Sequence, residues 1–323
     1  NPARSMRLVH ETRASTILYN LLLSGRSAGP WLLPANVCPI VPLTFLKAGR
    51  AFEFVDIDEE SLCIDPDRLL DRLRAGPGRY GGVLFVRTYG LEDSFDDLFA
   101  EIRERGPKLT LVDDRCLCRP RFDDPPPPGV DAVLYSTGYA KPVDLGSGAF
   151  ALLADGVECR RHDLPYDEKA LEQLTAAYKA ALVRRTPLDY RDGPWLDTRP
   201  PEIPREEYRA LVERGATESY ELKQRINRIY AAGIPEPFRL ESRFQGWRFQ
   251  ILVEEKQRLL DSIFAAGLFA SSHYADLTGI FSTGRSPVAE RLHARVVNLF
   301  NDRYYSEERA ERTVALVRAH LGL

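Results

Sequence analysis

The sequence predicts an α/β protein with a mainly parallel sheet flanked by helices, followed by a smaller C-terminal α+β domain. Between residues 30 and 153, short β-rich runs alternate with amphipathic segments of helical spacing, an order typical of parallel sheets covered on both faces. After residue 160 the pattern changes to long, charged helical stretches joined by a Pro-rich link, and a compact mixed segment follows beyond about residue 235. We therefore expect a large domain over residues 1–225 and a small domain over residues 226–323.

Each element of this fold is predicted from a local pattern. β-rich runs bounded by turn-forming residues predict six strands in the large domain, at residues 31–34, 51–57, 81–89, 108–114, 131–136 and 148–154. Apolar residues at i, i+3 and i+4 predict helices at residues 12–25, 65–76 and 94–106. In the small domain, the patterns predict a strand at residues 247–253 and helices at residues 254–267, 287–298 and 306–321.

Composition narrows the class of partner. The 323-residue chain is 44% hydrophobic and carries a net charge of -3. This charge does not favour binding to nucleic acid or to an anionic membrane surface. No apolar stretch is long enough to suggest a membrane span, and the first residues do not resemble a signal peptide. We expect small-molecule partners, no nucleic acid, no membrane and a cytoplasmic location.

The five cysteines predict neither a disulfide framework nor a metal site. Their number is odd, and they are scattered along the chain. Cys116 and Cys118 form a C-x-C pair, but no second pair and no nearby histidine accompanies them. We therefore expect buried thiols and no metal.

The candidate site residues follow the predicted strands, because ligands of open α/β sheets bind beyond the carboxyl ends of the strands. One predicted strand ends at Asp114, and Lys141 lies among small residues between the next two predicted strands, in a chain that otherwise prefers arginine. An acid and a lysine at one edge are either a salt bridge or the pair that pyridoxal phosphate (PLP) enzymes need. In such enzymes the lysine anchors the cofactor covalently, and the carboxylate keeps the pyridine nitrogen protonated. These two residues alone do not distinguish a salt bridge from a PLP site.

Four segments, in order, resemble a known family. They are WLLPANVCPIVPLTFLKAGRAFEFVDID at residues 31–58, FVRTYGLEDSFDDL at 85–98, LTLVDDRCLC at 109–118 and YSTGYAKPVDLGSGAFALL at 135–153. Together they resemble the DegT/DnrJ/StrS-type sugar aminotransferases, and the chain is similar to a shortened and divergent member. The resemblance implies the aspartate aminotransferase fold, which is fold type I of the PLP-dependent enzymes, with PLP as the cofactor.

The resemblance also implies roles for individual residues. Lys141 matches the Schiff-base lysine, which also moves the substrate proton, and Asp114 matches the partner of the pyridine nitrogen. Ser136 matches a serine that hydrogen-bonds the phosphate or the cofactor. Ser15 and Thr16 fall where the family starts its phosphate-binding helix, although helix capping alone also explains their hydroxyls. Cys38 occupies the position of the aromatic ring that usually covers the cofactor.

Four further residues are candidates for substrate contact: Arg87, Tyr89, His273 and Tyr274. The alternatives are pairing of Arg87 with an aspartate and ordinary packing of the His–Tyr pair. Leu117 replaces a glutamine or histidine of the family. The family's G-x-N-Y-R-M segment has no clear counterpart, residues 188–195 being the nearest. These departures leave the substrate open.

The function implied is an aminotransferase that moves an amino group from an amino acid such as glutamate to a keto-sugar or related polyol ketone. The setting would be sugar, polysaccharide or secondary-metabolite biosynthesis. The family also implies a homodimer with shared active sites. Two alternatives remain: another PLP-dependent reaction (decarboxylation, elimination or carbon–carbon bond formation) on a small amino acid-like substrate, or a non-catalytic homologue.

Overall fold

A computed structural model describes residues 6–25 and 29–323. Its large domain is built on a seven-stranded sheet with the order β1-β7-β6-β5-β4-β2-β3. Strands β2 to β6 are parallel to one another, whereas β7 pairs antiparallel with both β6 and β1. The strands are β1 (Met6–Glu11), β2 (Trp31–Pro34), β3 (Phe52–Val55), β4 (Gly82–Val86), β5 (Thr110–Asp114), β6 (Ala132–Ser136) and β7 (Ala149–Ala154). The prediction of a mainly parallel sheet is confirmed, and the sequence analysis missed only the edge strand β1 among these.

Helices cover both faces of the sheet. They are α1 (Ala14–Ser24), α2 (Ile40–Lys47), α3 (Pro66–Ala75), α4 (Asp96–Arg105), α5 (Glu168–Arg184) and α6 (Arg205–Gly233). Helix α3 begins where expected, because the Asp65 carboxylate accepts the backbone N–H of Arg68 at 3.0 Å and Pro66 occupies the first turn. Apolar residues of α1 and α2 pack on one face of the sheet, and those of α3 and α4 pack on the other.

The small domain contains a three-stranded antiparallel sheet with the order β8-β10-β9. Its elements are β8 (Phe249–Leu252), α7 (Lys256–Ala265), β9 (Ala270–Ser271), α8 (Pro287–Arg295), β10 (Val296–Leu299) and α9 (Glu307–Leu321). The helix predicted for residues 287–298 is wrong at its end. Val296 and Val297 are fully buried in β10 and pair with β8, so sheet pairing overrides the local helical spacing.

Helix α6 belongs to both halves of the molecule. Tyr208 and Val212, near its start, pack in the core of the large domain, whereas Ile226 and Tyr230 pack in the core of the small domain. The expected domain boundary at residues 225 and 226 falls inside this helix. In the described part of the chain, no helix combines the length and apolar character needed to span a membrane.

Candidate active site

The loop that carries Lys141 begins at the carboxyl end of β6. We call residues 137–148, between β6 and β7, the lysine loop. Its two arms are joined by the backbone N–H of Leu145, which donates to the Thr137 carbonyl at 2.9 Å. Ala140, directly before Lys141, has a left-handed backbone conformation with a φ of 60°. Within the described residues, Lys141 Nζ has no hydrogen-bond or ion-pair partner. The amine is therefore not used by the fold.

Asp114 lies on the face of the sheet that α1 and α2 cover. It ends β5 and is only 6% exposed, and one of its oxygens accepts the Cys116 backbone N–H at 2.9 Å. Burial raises the pKa of the Asp114 carboxyl, while hydrogen bonds from Cys116 and the charge of Lys141 act in the opposite direction. No cation of the described chain lies within ion-pair distance of this carboxylate. Asp114 is therefore a buried acid that lacks a positively charged partner.

Lys141 lies near both Asp114 and His273, because its charge acts on the pKa of each; we call the space around these three side chains the cleft. The His273 side chain is exposed, but many protein atoms lie around it. The resulting desolvation lowers the pKa of His273 to about 4, and the charges of Arg248, Lys141 and Lys179 act in the same direction. The imidazole is therefore neutral at physiological pH. Lys179, from α5, is a cation near this cleft that the sequence analysis missed, because nothing in a charged helical stretch distinguishes it.

Cys38 and Tyr274 border the same cleft. Burial raises the pKa of the Cys38 thiol, and Lys141 and Asp114 are both close enough to influence it. Burial also raises the pKa of Tyr274 far above its usual value, and the nearby acidic groups of Cys38 and Asp114 act in the same direction. Both side chains are consequently neutral. Leu117 packs in the hydrophobic core that also contains Tyr274 and against which Cys38 packs.

A set of potential anion ligands gathers at the start of α1. The Arg13 guanidinium donates to the Gly146 carbonyl at 3.3 Å. A Cβ atom built on Gly138 would lie 3.6 Å from Ser136 Oγ and 3.8 Å from Arg13 Nη1, so both groups converge on this glycine. Ser15 is half-buried in the first turn of α1, whose N-cap provides no side-chain hydrogen bond to the helix N–H groups. This anion cradle comprises Arg13, Ser15, Ser136 and Gly138.

Arg13 is a candidate site residue that was not predicted from the sequence. Its position was nevertheless an indication of another role. Arginine at the N-cap cannot accept the helix N–H groups as Ser or Asp does. Thr16, by contrast, lies next to the cradle but is fully buried, and its hydroxyl donates to the Asp197 carbonyl at 2.6 Å. The structure thus gives Thr16 a bond within the fold.

Arg87 and Tyr89 are placed differently from Asp114. Arg87 is 4% exposed and forms a bidentate ion pair with Asp113, at 2.9 and 2.8 Å. Because side chains alternate along β5, Asp113 and Arg87 lie on the face opposite Asp114. Tyr89 is fully buried and donates its hydroxyl to the His273 carbonyl at 2.7 Å. Arg87 therefore compensates the buried charge of Asp113, and Tyr89 holds the backbone of the segment that carries His273.

The side-chain clusters give no sign of a metal site. Within residues 6–25 and 29–323, no group of three or more His, Cys, Asp or Glu side chains is arranged to hold a metal ion.

Known structures share this fold. No family model matches the chain, and no curated protein matches it either. Among solved structures, a DegT/DnrJ/EryC1/StrS aminotransferase from Brucella abortus is 18% identical, with a TM-score of 0.67 over 97% of this chain and 86% of that chain. DesI, solved in the presence of its TDP-sugar product, is 17% identical, with a TM-score of 0.69 over 97% and 80%. The fold class is therefore that of the PLP-dependent aminotransferases of fold type I.

A third neighbour has a different activity. The E. coli GDP-4-keto-6-deoxy-D-mannose-3-dehydratase, solved with bound hydrated PLP, is 15% identical, with a TM-score of 0.63 over 96% of this chain and 87% of that chain. At such identities the likeness defines the fold, and the reaction has to be argued from the site.

The residues present fit PLP. A pyridinium nitrogen is the cation that the buried Asp114 lacks, and an aldehyde is the natural partner of the unpaired Lys141 amine. A phosphate group suits the convergence of Arg13 and Ser136 on Gly138, a residue without a side chain. Acid, amine and anion cradle are the three groups that this cofactor requires.

Proposed function

We propose that the protein is a PLP-dependent aminotransferase that transfers an amino group from an amino acid such as glutamate to a keto-sugar or related polyol ketone. One observation carries this proposal. Lys141 and Asp114 border one cleft, and neither has an ion-pair partner in the described chain, although an unpaired buried acid is unfavourable for the fold. Such an arrangement is explained by a ligand that pairs with both.

The cofactor, when bound, supplies an electron sink for the bonds of the substrate amine. Asp114 would hold the proton of a ring nitrogen through its buried carboxylate, and Arg13 and Ser136 would bind the phosphate. Lys141 would be the covalent anchor and, once released, would move a proton at its Nζ atom. The neutral His273 faces the same cleft and is suited to accept or donate a hydrogen bond without adding charge.

A groove beside the lysine loop supports an acceptor that carries an anionic group. The groove has a volume of about 920 Å³ and includes Pro142 and Val143, directly after Lys141. Arg119, Arg121 and Arg228 also line it, and their charge exceeds that of the acids there. DesI, whose structure was determined with a TDP-sugar product, sets a precedent for a nucleotide-linked acceptor on this fold. Biosynthesis of an amino sugar is the corresponding role.

Covalent fixation of PLP tests the proposal. The purified protein incubated with PLP should be yellow, and borohydride should fix the cofactor on the peptide that contains Lys141. The Lys141→Ala variant should lose this fixation, whereas Lys108→Ala, which removes an exposed lysine of the large domain, should retain it. Fixation on other lysines, or full activity of Lys141→Ala, would refute the assignment.

The dehydratase neighbour supports elimination as a second candidate reaction. Addition of L-glutamate separates the two, because an aminotransferase converts the bound cofactor to its amine form and releases a keto acid. If no common amino acid produces this change, elimination or another PLP reaction becomes the better assignment.

A homodimer with shared sites belongs to the same proposal. Lys141 is only partly buried and His273 is exposed in a single chain, and two-fold dimers are the commonest oligomers. We expect light scattering to give twice the 36.5 kDa mass of one chain. A monomer that fixes PLP and is active would contradict the sharing of sites.

A further inference from the structure

One face of α6 packs against the lysine loop. Gly215, Ser219 and Lys223 are four residues apart and therefore lie along one face of the helix. A Cβ atom on Gly215 would lie only 2.9 Å from Val143 Cγ1, so the loop and the helix are in close contact. Ser219 Oγ donates a hydrogen bond to the carbonyl of Pro142, the residue directly after Lys141. The backbone on this side of the lysine is thus held by α6.

Trp247 holds the other side of the lysine. Its indole Nε1 donates to the carbonyl of Ala140, the residue directly before Lys141, at 2.6 Å. Trp247 is 4% exposed and lies two residues before β8, so it belongs to the small domain. Its ring stacks on Tyr274, with ring centroids 5.8 Å apart. The small domain therefore reaches the lysine loop through an indole that is fixed in position.

Lys223 anchors Trp247. Its Nζ donates to the Trp247 carbonyl at 2.8 Å and to Asn301 Oδ1 at 3.0 Å, and the residue is 5% exposed. Burial lowers the pKa of Lys223 to about 7, with the charge of Arg248 acting in the same direction and that of Asp302 against it. A buried amine used on two acceptors of the small domain fixes the tryptophan relative to α6.

The conformation of Ala140 explains why such support is needed. A left-handed conformation is unfavourable for a residue other than glycine and persists only where its surroundings impose it. The Ala140 N–H donates to Asp144 Oδ2 at 3.0 Å, and the Ala140 carbonyl accepts the indole N–H of Trp247. Both backbone polar groups of the strained residue are thereby held by hydrogen bonds, which fixes the direction in which the Lys141 side chain leaves the backbone.

We propose that Trp247, Ser219 and Lys223 are positioning residues for Lys141, and that the Trp247 indole N–H transmits the position of the small domain to the lysine. The inference rests on the proposed function, because the amine is held for the cofactor. It predicts that loss of one hydrogen bond donor, outside the anion cradle and away from Asp114, weakens the attachment of PLP.

The test compares Trp247→Phe with Trp195→Phe. Both variants replace a buried tryptophan and remove one indole hydrogen bond, since Trp195 Nε1 donates to the Tyr190 hydroxyl at 3.1 Å, away from the lysine loop. In the cofactor-free protein, we expect faster hydrogen exchange in residues 137–148 for Trp247→Phe alone. In the PLP-bound protein, we expect the dissociation constant of PLP to rise about fivefold for that variant, the usual effect of one lost hydrogen bond.

A second pair of variants keeps the test valid if Trp247→Phe does not fold. Ser219→Ala should have the same two effects, whereas Thr217→Ala, an exposed hydroxyl of the same helix, should have neither. Unchanged exchange and unchanged PLP affinity in both test variants would overturn the proposal. Faster exchange with unchanged affinity would also overturn it, since the contacts would then be structural only. If the wild-type protein fixes no PLP, the proposed function fails, and the exchange data still decide whether Trp247 holds the loop.

Discussion

Asp113 and Asp114 are neighbours in sequence, but the side-chain alternation of β5 places them in opposite environments. Asp113 is fully buried with Arg87 and Arg115 as ion-pair partners, so its charge is compensated within the protein. Asp114 is nearly as buried and has no such partner in the described residues. The first acid stabilises the fold, and the second is available to a cofactor. Two predictions at the scale of single residues follow from this difference.

We expect Asp114→Asn to separate stability from cofactor binding. Burial raises the pKa of Asp114, so its charged form is unfavourable in the cofactor-free protein at neutral pH, and asparagine removes that penalty. Thermal unfolding of the cofactor-free variant should therefore occur at the wild-type temperature or above. PLP should bind about tenfold to a hundredfold more weakly, the usual range for a lost charge-assisted hydrogen bond. Wild-type PLP affinity in this variant would contradict the role of Asp114.

We expect Arg87→Met to destabilise the fold by about 3 kcal/mol, at the lower end of the usual range, because the buried Asp113 carboxylate loses one of its two guanidinium partners and keeps Arg115. Urea unfolding measures this change. The control Arg258→Met removes an exposed arginine of a surface ion pair and should lower stability by less than about 1 kcal/mol. A variant at position 87 that unfolds like the wild-type protein but raises the KM for substrate would instead make Arg87 a substrate residue.

At the scale of elements, the two domains are joined by more than helix α6. Asp56, one residue beyond β3, is buried, and its carboxylate accepts the N–H groups of Val288 and Ala289 at 3.0 and 3.1 Å. These N–H groups belong to the first turn of α8, 232 and 233 residues away in sequence. A carboxylate at this end of a helix satisfies unpaired donors and interacts favourably with the helix dipole. An acid at a strand end, typical of a ligand site, is here a helix cap.

We expect Asp56→Ala to lower the free energy of unfolding by about 1–2 kcal/mol, the usual range for loss of a helix cap. Glu59→Ala is the matched control, because Glu59 forms an exposed ion pair with Arg291 of the same helix. That change should cost less than about 1 kcal/mol in urea unfolding. Equal effects of the two substitutions would show that the cap adds nothing beyond surface charge.

At the scale of the whole molecule, stability should fall on acidification. Burial lowers the pKa of His10, which stacks on Tyr208 with ring centroids 4.0 Å apart, to about 4, and the charge of Arg205 adds to this effect. Burial and the charges of Lys256 and Arg185 likewise lower the pKa of His293 to about 4. Unfolded histidine has a pKa of about 6.5, so the unfolded chain binds more protons between these two values.

The free energy of unfolding should therefore decrease as the pH falls from about 6.5 to about 4, with little contribution from these residues above that window. His10→Phe keeps an aromatic ring against Tyr208 but cannot be protonated. Urea unfolding at several pH values should show a shallower decrease for this variant than for the wild-type protein. Parallel curves for the two proteins would exclude His10 as a source of the acid sensitivity.

The candidate site was predictable from the sequence where the motifs are local. Lys141, Asp114 and Ser136 follow strands whose apolar runs are clear, so their arrival at one edge of the sheet could be expected. Arg13 was not predicted, because its partner Gly146 is 133 residues away. Thr16 looked available by its place at a helix start, but its hydroxyl is bonded to a carbonyl of a loop near residue 197.

Local spacing and strand order were enough to predict the alternation of strands and helices and the mainly parallel sheet, and they placed Lys141 and Asp114 as candidates at the same edge. The tertiary structure decided the end of α8 and the start of β10, the burial of Arg87 against Asp113, and the support of Lys141 by Trp247 and α6. Each of these depends on contacts between residues far apart in the chain. Local sequence carries little information on which distant residue a polar side chain contacts. Those contacts distinguish acids and cations that stabilise the fold from those that are available to a ligand.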